Sequence, residues 1–410
     1  MNKDLLIIGF VWPEPNSTAA GTRMLQLIKV FQKKGFYITF VCTANKSDKS
    51  IDFDRLGIKT YDIQLNNSSF DTLIQQINPN IVLFDRFLTE EQFGWRVAKN
   101  CPNALRILDT EDLHFLRNTR HQAYKDKAEV SLKYLASDIF KRELASIYRC
   151  DLSLIISKYE FELLTTTFKV DTSILLYLPF LLDEIGKNKF NSFPSFGERT
   201  NFMTIGNFKH EPNWNAVQYL KSTIWPLIRK ELPKTELHIY GAYASEKVMQ
   251  LHNEKEGFII KGWADKAEDV FKSYRICLAP LQFGAGLKGK LIDAMLFGAP
   301  SVTTKIGAEA MHANLPWNGF IEDVPIKFVK KSIVLYQNEV VWKKAQQNGI
   351  TIINQCYDKK KYVKILADTI LYLEKNLKNH RLQNFTGQIL QYHTLQSTKY
   401  LSKWIEEKNK

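Results

Sequence analysis

Short, almost wholly apolar runs recur along this chain with helical patterns between them, and that alternation constrains the fold more than any other feature. The first run, Leu5-Leu6-Ile7-Ile8-Gly9-Phe10-Val11, has no polar face, as a strand covered on both sides requires. A loop over 13–21 leads into Met24, Leu25, Leu27, Ile28 and Phe31 at helical spacing, stopping before Gly35, and Tyr37 to Cys42 reads as a second strand. Helices near 70–77 and 90–99 and strands near 80–84 and 104–109 continue the pattern. A long helical region over 118–149 follows, then a strand over 152–157, a short helix over 160–167 and a strand over 173–178. Alternation of this kind predicts a doubly wound parallel sheet.

Periodicity lapses over 183–201, where Gly186, Pro194, Gly197 and several serines and asparagines mark a linker. It resumes with strands over 202–206, 236–241, 258–260 and 275–281 and helices over 213–231, 245–254 and 266–273, which predicts a second Rossmann-like sheet. Segments near 326–336, 339–357, 361–375 and 388–407 read as helices wrapping the lobes. The expected organisation is a first domain 1–182, a linker 183–201, a second domain 202–380 and a helix 381–410 packing back on the first. The 410 residues suffice for two cores.

A hydrophobic fraction of 45% beside 24% charged residues excludes a disordered chain. Lysine and arginine outnumber aspartate and glutamate 56 to 43, a formal charge of +13 that favours phosphate-rich partners: nucleotides, nucleic acid or an anionic membrane face. The stretch from Lys327 to Lys410 is lysine-dense, read as a solvated helical surface or a membrane-facing one. Cys42, Cys101, Cys150, Cys277 and Cys356 are widely spaced with no CxxC pair, so neither a disulfide framework nor a zinc site is expected, and a reducing cytoplasm fits. The first apolar run is too short for a membrane span and lacks a signal peptide's cleavage region. Asp52-Phe53-Asp54 has the form of a metal-binding DxD, but its polar neighbours mark a surface loop, and no metal is expected.

The most informative segment runs from Ala279 to Thr304: strand, glycine loop Gly284-Ala285-Gly286-Leu287-Lys288-Gly289, helix, turn and strand. Glycines let backbone approach a ligand closely, and the following helix start offers free amides and a positive dipole end, so an anionic phosphate is the expected occupant. Lys288 and Lys290 add full charge. Asp293, close to one turn further on, is placed to accept from two ribose hydroxyls. The loop also satisfies GxGxxG with Glu309 about 20 residues beyond, the fingerprint of a dinucleotide site. That fingerprint normally opens the first βα turn of its domain, whereas this loop follows a fourth strand.

With Lys290, Asp293-Ala294 and Gly298-Ala299-Pro300-Ser301-Val302-Thr303-Thr304-Lys305-Ile306-Gly307-Ala308-Glu309, the chain resembles retaining GT-B glycosyltransferases of the glycogen-synthase-like superfamily, in particular the bacterial group 1 type. Gly206-Asn207-Phe208-Lys209-His210-Glu211-Pro212-Asn213, Gly262-Trp263 and Asp109 to Arg117 extend the resemblance over nearly the whole chain. It implies two Rossmann-like domains facing a central cleft, with C-terminal helices crossing back. It further implies that Asp293 binds ribose, that Gly206, Asn207, Lys209, Gly284, Gly286, Lys288 and Lys290 surround the donor, and that Gly21 and Arg23 approach its phosphate or sugar from the first domain. Arg23 can equally pack its own loop. His114 is expected at the transferred sugar, with Asp112 as orienting group or base, though a structural histidine and a solvated carboxylate are the alternatives. Glu309 is expected at donor hydroxyls or as a helix cap. The superfamily's first of two spaced glutamates falls on Ala285, and its diphosphate-binding arginine and lysine fall near Asn207 and Asn213.

The expected activity is therefore metal-independent, retaining transfer from a nucleoside-diphosphate sugar to an acceptor hydroxyl, on a glycan, lipid-linked glycan or cell-surface polysaccharide precursor. No cofactor or nucleic acid is expected; peripheral contact with an anionic membrane is, through the mixed basic and aromatic region 118–149. Two alternatives stay open: a non-catalytic binding relative, motivated by Ala285, Asn207 and Asn213, and a nicotinamide-dependent oxidoreductase.

Overall fold

The structure is a computed structural model that describes residues 3–409, apart from the side chains of residues 133, 134, 394 and 395. Two parallel sheets organise it. The first contains β1 (Asp4–Gly9), β2 (Tyr37–Cys42), β3 (Lys59–Asp62), β4 (Ile81–Asp85), β5 (Leu105–Asp109), β6 (Leu152–Ile155) and β7 (Leu175–Tyr177), in the order β3-β2-β1-β4-β5-β6-β7. The second contains β8 (Thr200–Ile205), β9 (Leu237–Tyr240), β10 (Phe258–Gly262), β11 (Tyr274–Ala279), β12 (Ser301–Thr303) and β13 (Gly319–Ile321), in the order β10-β9-β8-β11-β12-β13. Each lobe is a doubly wound Rossmann-like unit, and their arrangement is the GT-B architecture.

Strand periodicity explains why the first apolar run has no polar face. Leu5 and Ile7 enter one core cluster while Leu6 and Ile8 enter the cluster on the opposite side of the sheet. The loop after β1 ends where the Thr18 hydroxyl accepts from the Gly21 amide and caps the Ala19–Lys33 helix.

Several elements depart from expectation. The region 118–149 is not one helix: His114–Asp126 ends on Lys127 at φ 51°, and Asp138–Arg149 begins afresh on a Ser137 cap. The helix expected over 213–231 does run from Glu211 to Glu231, but with a π-helical turn at Leu220–Ile224. The widened turn lies just before Pro226, which has no N–H to continue an α-helical ladder. β3 and β13 are edge strands that the apolar pattern does not announce. Residues 359–380, expected with the second domain, instead send Tyr362, Leu366, Ile370 and Leu373 into a first-lobe cluster. The crossing therefore starts at Asp358, which caps the Lys359–Gln383 helix, and the Phe385–Lys408 helix folds back on the first lobe.

Candidate active site

The carboxyl edges of the two sheets meet where the loop after β11 lies against the first lobe. Gly286 sits at φ 63°, a conformation that favours glycine, and a Cβ there would come within 2.8 Å of the Asp112 Cβ. A Cβ on Gly289 would meet that of Ala19 at 2.6 Å, so the starts of the Gly289–Leu296 and Ala19–Lys33 helices converge, one from each lobe. Two positive dipole ends thus face the same space.

Lys290 and Asp293 belong to this helix, and neither side chain has a hydrogen bond or ion pair among the described residues. The Lys290 ammonium reaches Gly206, where a Cβ would lie 3.0 Å from its Nζ and 2.8 Å from the Asn213 amide. Both charged groups are walled in by protein while still reached by solvent; loss of bulk water pushes Lys290 down to about 8 and Asp293 up to about 7. Lys288 is buried and donates to the Gly286 and Ala285 carbonyls at 2.7 and 3.3 Å. Burial lowers its pKa to about 8, opposed chiefly by Glu309.

From the first lobe, His114 opens its helix 3.6 Å from Asp112 and edge-on to Phe87. Burial holds it near 4, so it stands neutral at physiological pH, able to donate one hydrogen bond and accept another. Asp112 is held below the usual carboxylate range, against burial, chiefly by Arg117, to which it is bonded at 2.6 Å. It is thereby a poor proton acceptor, which bears against a role as base.

The other assigned residues fall out as follows. Arg23 is buried in an ion pair with Asp109 at 2.8 Å and donates to the Leu178 carbonyl at 2.7 Å, as the packing alternative expects, because a guanidinium under the sheet edge must find acceptors. The Gly21 amide is taken by the Thr18 cap, and a Cβ there would clash with the Glu14 backbone at 2.5 Å, so this glycine serves the loop. The Asn207 side chain accepts from the Lys209 amide in a local turn, and Lys209 itself is exposed with its ammonium 3.7 Å from the Tyr243 ring centroid. Glu309 stands at the C-cap position of the short Lys305–Ala308 helix, and its carboxylate forms a two-pronged pair with Arg120 of the first lobe at 2.8 Å on each prong. Asp52 accepts from the Asp54 amide and pairs with Arg55 in its own loop. No group of three or more His, Cys, Asp or Glu among the described residues is arranged to hold a metal ion.

Three groups that sequence reading left unassigned complete the meeting of the lobes. Arg120 also donates to the Gly284 carbonyl at 2.8 Å. Glu160 accepts from the Gly286 amide at 2.8 Å and the Leu113 amide at 3.1 Å, with its pKa pushed to about 7 by burial and then by Asp112. His210 faces Arg117 and Asp112 from the second lobe, its pKa lowered by loss of bulk water although solvent reaches its ring. A signal existed for Glu160: it follows β6 at the carboxyl edge where open α/β sheets place ligands. Arg120 had none, since its partners lie 164 and 189 residues away.

Comparison with known proteins gives a family match over part of the chain and a likeness of fold. The family described as "Glycosyl transferases group 1" matches residues 199–338, which hold the glycine loop and the helix after it. A 44.6 kDa protein from the cps region of Klebsiella pneumoniae, described as uncharacterized, is 23% identical over 292 residues, covering 68% of this chain and 72% of that protein. Among solved structures, sucrose-phosphate synthase from Thermosynechococcus elongatus superposes with a TM-score of 0.68 at 11% identity, over 91% of this chain and 99% of that one. Anabaena HepE in complex with UDP and glucose gives 0.67 at 10% identity, over 89% and 98%. At these identities the likeness establishes a shared two-lobed fold.

Proposed function

We propose that this chain, whose residues 199–338 match the glycosyl transferases group 1 family, transfers a glycosyl unit from a nucleoside-diphosphate sugar to an acceptor hydroxyl with retention of configuration. The observation that carries the reading is the trio at the converging helix starts: among the described residues Lys290 and Asp293 have no hydrogen-bond or ion-pair partner, and Lys288 is bonded only to loop carbonyls. A diphosphate at the dipole ends takes up the lysines' charge, and Asp293 accepts from ribose hydroxyls. As the bond from the anomeric carbon to the phosphate oxygen breaks, its electron pair goes to the diphosphate, where the same groups stabilise it. The acceptor oxygen attacks from the leaving-group side and passes its proton to a departing phosphate oxygen. Neutral His114 is placed to hold the sugar, and closure of the lobes excludes water.

The acceptor in this proposal is a glycan, a lipid-linked glycan or a cell-surface polysaccharide precursor, and the site of action is the cytoplasm. Gly206 and Asn213 help shape the donor pocket, while Asp112 orients His114 through its charge. Thermal stabilisation by UDP, GDP, ADP, CMP and NAD is the test, with UDP first because the Anabaena HepE structure holds it. A shift with one nucleoside diphosphate, lost in Lys288→Ala and Asp293→Ala, supports the transferase; a shift with NAD alone overturns it. One observation favours a second reading, a binding relative without turnover: Gly286 and Glu309 are engaged by first-lobe side chains. Donor hydrolysis or transfer separates the two.

A further inference from the structure

On the opposite edge of the first sheet, at the amino ends of β5 and β6, lies an open cavity of about 660 Å³. Five cations line it, Arg106, Arg149, Lys375, Lys378 and Arg381, against two carboxylates, Asp151 and Glu374. Asp151 is already saturated: it accepts from the Arg106 amide at 2.8 Å and from Arg381 at 2.7 and 2.8 Å. Arg149 is paired on its other side with Glu90. Two guanidinium nitrogens, Arg106 Nε and Arg149 Nη1, are nevertheless buried without a hydrogen-bond partner among the described residues, on residues only 7% and 3% exposed. Native interiors rarely leave such donors unmatched, and their natural acceptor here is an oxyanion.

The rim is unlike a free-anion site. Leu371, Lys375, Lys378 and Leu382 share one face of the Lys359–Gln383 helix at spacings of four and three, with both leucines exposed. Gln388 lines the cavity, and one turn later Tyr392 begins the aromatic half of a stripe. Phe385, Ile389, Tyr392, Tyr400 and Trp404 run along the solvent side of the Phe385–Lys408 helix, each at least 46% exposed. Lysines interleave with them: Lys399 lies 5.6 Å from the Tyr400 ring centroid and Lys408 lies 5.2 Å from that of Trp404. Exposed tryptophan, tyrosine and lysine on one helical face match the chemistry of a bilayer's headgroup region. A second copy of this chain docked about a two-fold axis would set the same cations against themselves.

We propose that this face docks on an anionic phospholipid bilayer, with the cavity receiving a lipid headgroup phosphate and the stripe of the last helix entering the interface. This goes beyond the proposed transfer reaction and places the contact away from region 118–149, and its test does not depend on activity. The full chain is sedimented with vesicles of phosphatidylcholine alone or mixed with phosphatidylglycerol. Retention on the mixed vesicles only, weakening as salt rises, is expected. Lys375→Glu/Lys378→Glu should weaken it about tenfold or more, and Tyr392→Ser/Trp404→Ser should weaken it at unchanged charge. Both variants should keep the wild-type circular dichroism spectrum and nucleotide-induced stabilisation, showing an intact fold and cleft. No retention on mixed vesicles, or retention unchanged in both variants, overturns the proposal. So does stabilisation by inorganic phosphate that the lysine variant loses while vesicles go unbound, which marks a free-anion site. Concentration-dependent dimerisation abolished by the aromatic variant, again with vesicles unbound, overturns it in favour of self-association.

Discussion

The two lobes bring charge to their meeting place in different ways. First-lobe charges are largely matched, Arg23 with Asp109 and Arg117 with Asp112, while Glu160 takes two backbone amides on Oε1 and keeps Oε2 buried without a partner among the described residues. On the second lobe, among the described residues, Lys290 and Asp293 have no hydrogen-bond or ion-pair partner and Lys288 hydrogen-bonds only carbonyls of its own loop. Glu309 is the exception, and its partner Arg120 comes from across the cleft. Buried charge without a partner is costly, so matched charges hold shape while unmatched ones are kept for a ligand.

Substitutions can break that contrast. Arg23→Ala strands a buried Asp109, and a loss of about 3–5 kcal/mol in unfolding free energy is expected, read by denaturant melts. Nucleotide affinity of the remaining folded fraction should not change. Lys288→Ala should do the reverse, lowering donor turnover about a hundredfold with little change in melting, because the charge it supplies matters when the diphosphate leaves. If Lys288→Ala unfolds the protein while Arg23→Ala silences it, the distinction fails.

Two smaller effects sharpen the contrast at the boundary between lobes. Arg120→Ala frees Glu309 and the Gly284 carbonyl, and it should cost about 2 kcal/mol, less than a sealed pair because both partners keep some solvent contact. Small-angle scattering should show the lobes further apart. Glu160 is raised from an ordinary 4.5 to about 7, so the folded chain holds this proton more tightly than the unfolded chain does. Its contribution is present below about pH 4.5 and lost as pH rises through about 7. Glu160→Gln, which keeps an acceptor for both amides, should remove a slope on the order of 3 kcal/mol over that window. Equal slopes in the two proteins would show that Glu160 is not the group titrating.

What was legible in the sequence follows the same division. Apolar runs disclosed the central strands because both faces are buried, whereas Lys59-Thr60-Tyr61-Asp62 is an exposed edge and carries no such pattern. The grouping of Gly284 to Asp293 was legible because its glycines, helix start and lysines lie within a dozen residues of chain. Contacts assembled across the lobes were less so: Glu160 could be placed at the carboxyl edge by following β6, but nothing local in Arg120 points to partners over a hundred residues distant. For Arg23 the sequence left donor contact and packing of its loop open, and only the folded sheet edge shows Asp109 and the Leu178 carbonyl beneath it. The lysine-dense tail was legible as charge but not as shape, because the cavity also needs Arg106, Arg149 and Asp151 from the first lobe.

Because Tyr362, Leu366, Ile370 and Leu373 close a core begun by Leu5 and Ile7, the first lobe to leave the ribosome is the last to be finished. Its nascent form waits, with one hydrophobic flank uncovered, until the whole second lobe has been made. Synthesis interrupted before residue 359 would release a half-closed lobe, so the order of translation makes the intervening second lobe a delay between the two halves of one core.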